Sequence, residues 1–66
     1  MIVTVNGEPI ELDADATVAT VLEQLETRTA GIAVALNGNV IPRSAWSQTS
    51  LQAGDLVEVL SAAQGG

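Results

Sequence analysis

The chemistry open to this chain is limited first by the side chains it lacks. Its 66 residues include no Cys and no His, which removes disulfides, thiolate and imidazole metal ligands, the corresponding nucleophiles and the usual general base at neutral pH. Most catalytic schemes are thereby excluded, and we predict no catalytic residue. The group that remains is the carboxylate of Gly66, after Gly65. Resonance and negative charge protect a carboxylate from attack, and activation as an acyl phosphate would supply a good leaving group.

The diglycine end has a chemical use and an ordinary explanation. Gly65 and Gly66 lack Cβ atoms, so they fit a narrow channel and adopt backbone angles closed to other residues. Holding them there costs about 1 to 2 kcal/mol of conformational entropy per residue, which contacts elsewhere on the domain must offset. Taken alone, the dipeptide is more simply explained as a disordered end or an expression scar.

The charge of the chain limits the partners it can meet. Eight acidic residues stand against Arg28 and Arg43, for a formal net charge of -6. Nucleic acid and anionic lipid are poor partners for such a surface, whereas a basic protein groove is a better one. Trp46 is the only aromatic residue, so the chain has no platform on which bases could stack.

The sequence also disfavours a metal-binding protein and a secreted or membrane-spanning one. The acidic residues Glu8, Glu11, Asp13 and Asp15 do not follow the ligand spacing of a calcium loop, so we predict a solvated acidic face and no metal site. The first residues lack the basic leader of a signal peptide, and no apolar run approaches the roughly 20 residues of a membrane span. We therefore expect a cytoplasmic protein.

The first half of the chain predicts a hairpin followed by a helix. Residues 2–5 and 9–12 are β-rich and flank Asn6-Gly7, with Pro9 favouring an edge strand. Four apolar residues then recur at helical spacing, with Asp15 or Thr17 as candidate N-caps and an expected end before residue 29, near Arg28. These four are Val18, Val21, Leu22 and Leu25.

The second half predicts three strands. Residues 32–36 are apolar on both faces, as expected inside a sheet. A turn at residues 37–39 leads to a short strand at residues 40–41, and Arg43–Gln48 is predicted as a helical turn or ordered loop around Trp46. Residues 56–62 form the last strand, with Val57 and Val59 facing the core if Glu58 faces water.

This order of elements predicts an α+β fold of the β-grasp (ubiquitin-like) type: a mixed sheet of four to five strands, covered on one face by a single helix. A three-strand meander with a helix, or an open two-layer sheet with different pairing, fits the same order. We expect one domain over residues 1–62 and a flexible tail over residues 63–66.

The chain resembles the ThiS family of sulfur carriers. The resemblance covers essentially the whole chain and rests on four segments: Ala33-Val34-Ala35-Leu36-Asn37-Gly38, Ile41-Pro42-Arg43 with Trp46 beyond, Gly54-Asp55-Leu56-Val57-Glu58-Val59, and Gly65-Gly66. With these segments in place, the tail is better interpreted as functional than as an accidental end.

The resemblance implies a role in making the thiazole half of thiamin. A ubiquitin-activating-like adenylating enzyme would use ATP and magnesium to adenylate the Gly66 carboxylate. Sulfur from a cysteine-derived persulfide would displace AMP to leave a thiocarboxylate, which a thiazole synthase would consume. The chain itself would bind no cofactor and catalyse nothing.

Partner contacts are expected on the sheet face opposite the helix. Alternation along the last strand places Leu56, Glu58 and Leu60 there, with Ala33 or Ala35 nearby. Arg43 is either a partner contact or a solvated charge after Pro42. Trp46 is interpreted as core packing, with an interface anchor as the alternative.

Three other functions fit the same features. The nearest is a sulfur carrier for another pathway, such as the small subunit of molybdopterin synthase; the short length and the Pro42-Arg43 stretch with Trp46 lean toward thiamin. A ubiquitin-like protein modifier would instead form isopeptide bonds with lysines on its targets. A plain interaction domain would use no chemistry at its tail.

Overall fold

A five-stranded sheet with one helix across it organises the part of the chain that the structure describes. The structure is a computed structural model that describes residues 1–25 and 31–61. In chain order its elements are β1 (Ile2–Val5), β2 (Glu8–Glu11), α1 (Val18–Gln24), β3 (Ile32–Leu36), β4 (Asn39–Ile41), a 3₁₀ helix (Arg43–Gln48) and β5 (Leu56–Ser61). The mixed sheet with a single covering α-helix is the architecture that the sequence predicts.

The last strand lies in the middle of the sheet. The strand order is β2-β1-β5-β3-β4, with β5 parallel to β1 and antiparallel to β3. The other two pairings, β1 with β2 and β3 with β4, are antiparallel hairpins. The central position of β5 excludes the three-strand meander, and β2 with its Pro9 is an edge strand as predicted.

Both hairpins close with an Asn-Gly turn of two residues. Asn6 and Gly7 have φ values of 50° and 84°, and Asn37 and Gly38 have φ values of 51° and 88°. Positive φ at both central residues is the requirement of a type I′ turn, whose twist matches that of the flanking strands. Asn39, predicted as part of the second turn, is instead the first residue of β4.

Helix α1 begins with a reciprocal cap at Thr17. The Thr17 hydroxyl accepts a hydrogen bond from the Thr20 amide at 3.3 Å, and the Thr20 hydroxyl accepts one from the Thr17 amide at 3.0 Å. These bonds satisfy amides that a helix start leaves without partners. Thr17, and not Asp15, is therefore the N-cap.

The helix ends earlier than the sequence predicts, at Gln24 with Leu25 as the C-cap. Val18, Val21 and Leu22 are buried, whereas Leu25, the fourth residue of the apolar stripe, is 38% exposed. The core therefore covers the last residue of the stripe only in part. The predicted position of Arg28 lies outside the described residues.

The core fills the space between α1 and one face of the sheet. Its fully buried side chains come from the helix (Val18, Val21) and from strands β1, β3 and β5 (Val3, Val34, Val57). Leu12, Leu51 and Trp46 belong to the same buried cluster. Among the described residues no buried side-chain nitrogen or oxygen lacks a hydrogen-bond partner, so no side chain there carries the cost of an unpaired polar atom.

Residues 62–66 lie outside the described residues, so the predicted domain boundary at residue 62 and the predicted flexible tail stay predictions. Within the described ranges, no helix combines the length and the apolar character that a membrane crossing requires.

We expect Thr17→Ala to lower the free energy of unfolding by about 1 kcal/mol, because it removes the cap acceptor from the Thr20 amide. Asp15→Ala is the matched control, since Asp15 is exposed and lies outside the cap; it should change stability by less than about 0.5 kcal/mol. Urea denaturation followed by circular dichroism measures both. Equal losses for the two variants would contradict the assignment of the cap.

Candidate functional site

The face of β5 that points away from the helix is apolar and exposed. Val57 is buried, and the alternation of the strand turns its neighbours Leu56, Glu58 and Leu60 outward. Leu56 is 55% exposed and Leu60 is 60% exposed. The three residues that the sequence predicts as partner contacts on this strand therefore share one face.

The register of the sheet extends this surface across four strands. Residues of the neighbouring strands β1 and β3 lie opposite the outward residues of β5, and Val40 of β4 lies opposite one of those. We call the resulting surface the open face; it comprises Ile2, Thr4, Ala33, Ala35, Val40, Leu56, Glu58 and Leu60. Sequence reasoning missed Ile2 and Val40, which are 53% and 74% exposed.

The distribution of exposed apolar side chains sets the open face apart. Of the five large apolar residues exposed in the described ranges, Leu25 alone lies elsewhere, at the end of α1. Scattered exposed apolar residues are ordinary, but a contiguous group marks an interaction surface. The charges here are acidic: Glu58 lies at the centre, and Glu11 of β2 pairs with Ile2.

The start of β5 is held by a small polar network. The Asn37 side chain accepts a hydrogen bond from the Leu56 amide at 2.9 Å and donates one to Asp55 at 3.1 Å. The Asp55 carboxylate also accepts from the Gln52 amide at 2.7 Å. Asp55 thus organises the turn before β5.

The two Asn-Gly turns flank one end of the open face. Between them lies a shallow groove of about 240 Å³, lined by Thr4, Gly7, Gly38, Leu56, Val57 and Glu58. No larger concavity is needed for the proposed chemistry, because the reacting group would be on the tail and not in a pocket of this chain. The groove is therefore part of the open face and not a separate site.

Sequence reasoning also missed Asn6. Its side-chain oxygen accepts a hydrogen bond from the Val59 amide at 2.8 Å, and its side-chain nitrogen donates to the Val59 carbonyl at 3.2 Å. The dipeptide Asn6-Gly7 is a recognisable turn signal, but nothing in the sequence indicates a partner 53 residues away. Its role depends on which strand lies next to β1.

Trp46 and Arg43 lie together, away from the open face. Trp46 is buried in the core at 6% exposure, and its indole N–H donates to the Ile41 carbonyl at 2.9 Å. The Arg43 guanidinium carbon lies 5.9 Å from the centre of the Trp46 ring, within cation–π range. The structure supports core packing for Trp46, and it does not place Arg43 beside Leu56, Glu58 and Leu60.

The remaining predicted site residues, Gly65 and Gly66, lie outside the described residues. The strand that leads to them is β5, whose last residue is Ser61. Within the described ranges, no group of three or more acidic side chains could hold a metal ion. The acidic residues Glu8, Glu11, Asp13 and Asp15 are all exposed.

The fold and the site define a class. A mixed five-stranded sheet with a helix on one face, an open apolar face on the other and a central last strand is a ubiquitin-like β-grasp domain. The ThiS family model matches residues 3–66, and the chain belongs to the ThiS family.

Individual relatives agree with this assignment. The chain is 38% identical over 61 residues to the sulfur carrier protein ThiS of Escherichia coli (strain K12), covering 92% of each chain. It is also similar to the crystal structure of a thiamine biosynthesis protein (ThiS) from Geobacter metallireducens, with a TM-score of 0.80, 38% identity and coverage of 92% and 93%. The solution NMR structure of a thiamine biosynthesis protein from the same organism gives a TM-score of 0.73 at 38% identity, with coverage of 91% and 81%.

These similarities confirm the β-grasp fold and the resemblance on which the functional prediction rests. The chain is a sulfur carrier of thiamine biosynthesis and not a catalyst. Thiamine biosynthesis, and not the molybdopterin pathway, is the role that the family assignment supports.

We expect Trp46→Phe to cost about 1 to 2 kcal/mol of stability, because it removes the donor to the Ile41 carbonyl and part of the ring volume. Trp46→Ala should cost about 3 to 5 kcal/mol. Urea denaturation followed by circular dichroism avoids the loss of the only Trp fluorophore. A fully stable Trp46→Phe variant that binds partner proteins more weakly would instead indicate an interface anchor.

Proposed function

We propose that this chain carries sulfur as a thiocarboxylate at Gly66. The Gly66 carboxylate attacks the α-phosphate of ATP on a ubiquitin-activating-like adenylating enzyme, and pyrophosphate leaves. The terminal sulfur of a cysteine-derived persulfide attacks the acyl carbon and expels AMP. A thiol then cleaves the sulfur–sulfur bond, which leaves the thiocarboxylate and a disulfide. Thiazole synthase consumes the thiocarboxylate.

One observation carries the proposal: the strand that leads to the tail is the central strand of the sheet and also the centre of the open face. A partner that covers Leu56 and Leu60 is therefore next to Ser61, the end of β5, which we call the root of the tail. Gly66 lies six positions after Leu60, so its acyl carbon can reach at most about 22 Å from that residue. Docking and delivery thus occur within one partner surface.

The open face supplies the binding free energy that the tail lacks. A diglycine end has no side chains with which to bind, and ordering it in a channel costs about 1 to 2 kcal/mol per residue. Burial of Leu56, Leu60, Ile2 and Val40 against a partner would offset that cost, because each is now at least half exposed. The same four side chains make the interaction specific to this side of the sheet.

Charge favours a basic partner surface. The formal net charge is -6, and Glu58 lies exposed between Leu56 and Leu60. Complementary charge accelerates encounter and disfavours wrong partners more than it adds affinity. ATP and magnesium belong to the activating partner in this scheme, and we expect the reaction to take place in the cytoplasm.

We predict that deletion of Gly66 abolishes ATP–pyrophosphate exchange by the adenylating partner. Every buried core residue in the described ranges lies between Val3 and Val57, so we expect the circular dichroism spectrum and urea midpoint to stay those of the full chain. Full exchange activity with the shortened chain would refute the assignment of the reacting carboxylate.

We predict that Leu60→Asp weakens binding to the adenylating partner about 10- to 100-fold, as expected for a residue near the centre of an interface. Leu25→Asp is the matched control: it adds the same charge at an apolar residue that is 38% exposed and lies off the open face. Isothermal titration calorimetry measures both affinities. Wild-type binding by Leu60→Asp would remove the open face from the proposal.

A further inference from the structure

Strand β1 ends before β5 does. The parallel pairing between them covers only Thr4 with Leu56 and Val5 with Val57, whereas β5 continues to Ser61. The chain leaves β1 at Asn6 to enter the turn to β2. On this side, the second half of β5 would have no neighbouring strand, although it is the half that leads to the tail.

The Asn6 side chain replaces the missing strand. The Asn6 backbone amide donates the last main-chain bond of this edge, to the Val57 carbonyl at 2.9 Å. The side-chain amide then pairs with both backbone groups of Val59, accepting at 2.8 Å and donating at 3.2 Å. A carboxamide has the donor and acceptor of a peptide group, so it continues the ladder by one step.

The turn and the pairing require the same residue. Asn6 has a φ of 50°, a conformation that Asn adopts more readily than most residues. Gly would keep the turn but has no amide to offer, and an ionised Asp would lack the donor for the Val59 carbonyl. Asn is therefore the residue type that closes this hairpin and binds β5 at once.

The position of Val59 gives the contact its significance. On the other side, β3 holds β5 through Ala33 with Leu60 and Ile32 with Ser61. With Asn6 in place, β5 is held on both sides as far as Val59, two residues before the last described residue of the strand. The open-face residue Leu60 follows Val59 directly. The hydrogen bonds between Asn6 and Val59 therefore hold the strand next to both the docking surface and the root of the tail.

We propose that Asn6 is a positioning residue that fixes the root of the tail relative to the open face, so that a docked chain presents its end in line with the partner's adenylating site. This inference rests on the proposed function. Because correct placement of a reacting group acts on turnover more than on docking, loss of Asn6 should lower the kcat of adenylation while KM for the carrier stays nearly unchanged.

The chain offers a matched control in its second Asn-Gly turn. Asn37 has a φ of 51°, and its side chain also binds a β5 backbone group, the Leu56 amide at 2.9 Å. That contact lies at the start of β5, away from the tail. Asn6→Gly and Asn37→Gly thus remove comparable contacts from the same kind of turn, at opposite ends of one strand.

The experiment compares the full-length chain with these two variants, at a temperature at which circular dichroism shows all three folded. We expect Asn6→Gly to accelerate hydrogen exchange at the Val59 amide at least about tenfold. In ATP–pyrophosphate exchange with the adenylating enzyme, we expect its kcat to fall about 3- to 10-fold with KM within about twofold. Asn37→Gly should leave kcat within about twofold of the wild-type value.

Each other result contradicts either the role of Asn6 or the proposed function. An equal fall in kcat for both variants would mean that the effect is general destabilisation, and a rise in KM alone for Asn6→Gly would mean a docking role. Wild-type kinetics for Asn6→Gly would remove the inference and leave the proposed function intact. Absence of exchange with the wild-type chain would refute the proposed function itself.

Discussion

The structure depends on the insertion of the last strand between β1 and β3. This placement turns two separate hairpins into one sheet and completes the core through Val57, which is 1% exposed. It also gives the strand that leads to the tail a hydrogen-bonded neighbouring strand on each side, β3 along most of its length and β1 along its first part. The described strand that precedes the tail in sequence is therefore the central strand of the sheet and not an edge strand.

The same strand separates two kinds of surface. Its inward residues pack under α1, and its outward residues form the middle of the open face. A chain of 66 residues has few residues to spare for an enclosed active site, because a domain of this size buries only about 60% of its unfolded surface. One face supplies stability and the other is free for partners, so chemistry located on a chain end is consistent with the size of the domain.

Local patterns were enough to predict most of the elements. The stripe of Val18, Val21 and Leu22 predicted the helix, the Asn-Gly pairs predicted both hairpin turns, and Pro9 predicted an edge strand. The alternation around Glu58 correctly predicted which side of β5 is exposed. Each of these features is determined by residues close together in the chain, and for that reason the sequence displays them.

Features that depend on distant pairing were not accessible in the same way. The parallel register of β1 and β5 determines that Ile2 joins the open face and that Asn6 meets Val59, and no local pattern encodes that register. The choice of Thr17 over Asp15 as the cap depends on the reciprocal bond with Thr20. The apolar spacing did not reveal that Leu25 lies at the C-cap and is partly exposed. The sequence identifies Arg43 only as a partner contact or a solvated charge after Pro42. Its position over the Trp46 ring depends on the 3₁₀ helix that contains both residues.

The central claim is that the end of this chain carries the sulfur, and the intact mass of the protein tests it most directly. The chain should be incubated with the adenylating enzyme, ATP, magnesium, a persulfide donor and a thiol that cleaves the acyl disulfide, then measured by mass spectrometry with an ATP-free sample as the control. The account predicts a mass increase equal to the replacement of one oxygen by sulfur, located by fragmentation at Gly66. An unchanged mass under conditions in which ATP is consumed, or sulfur found at another residue, would contradict it.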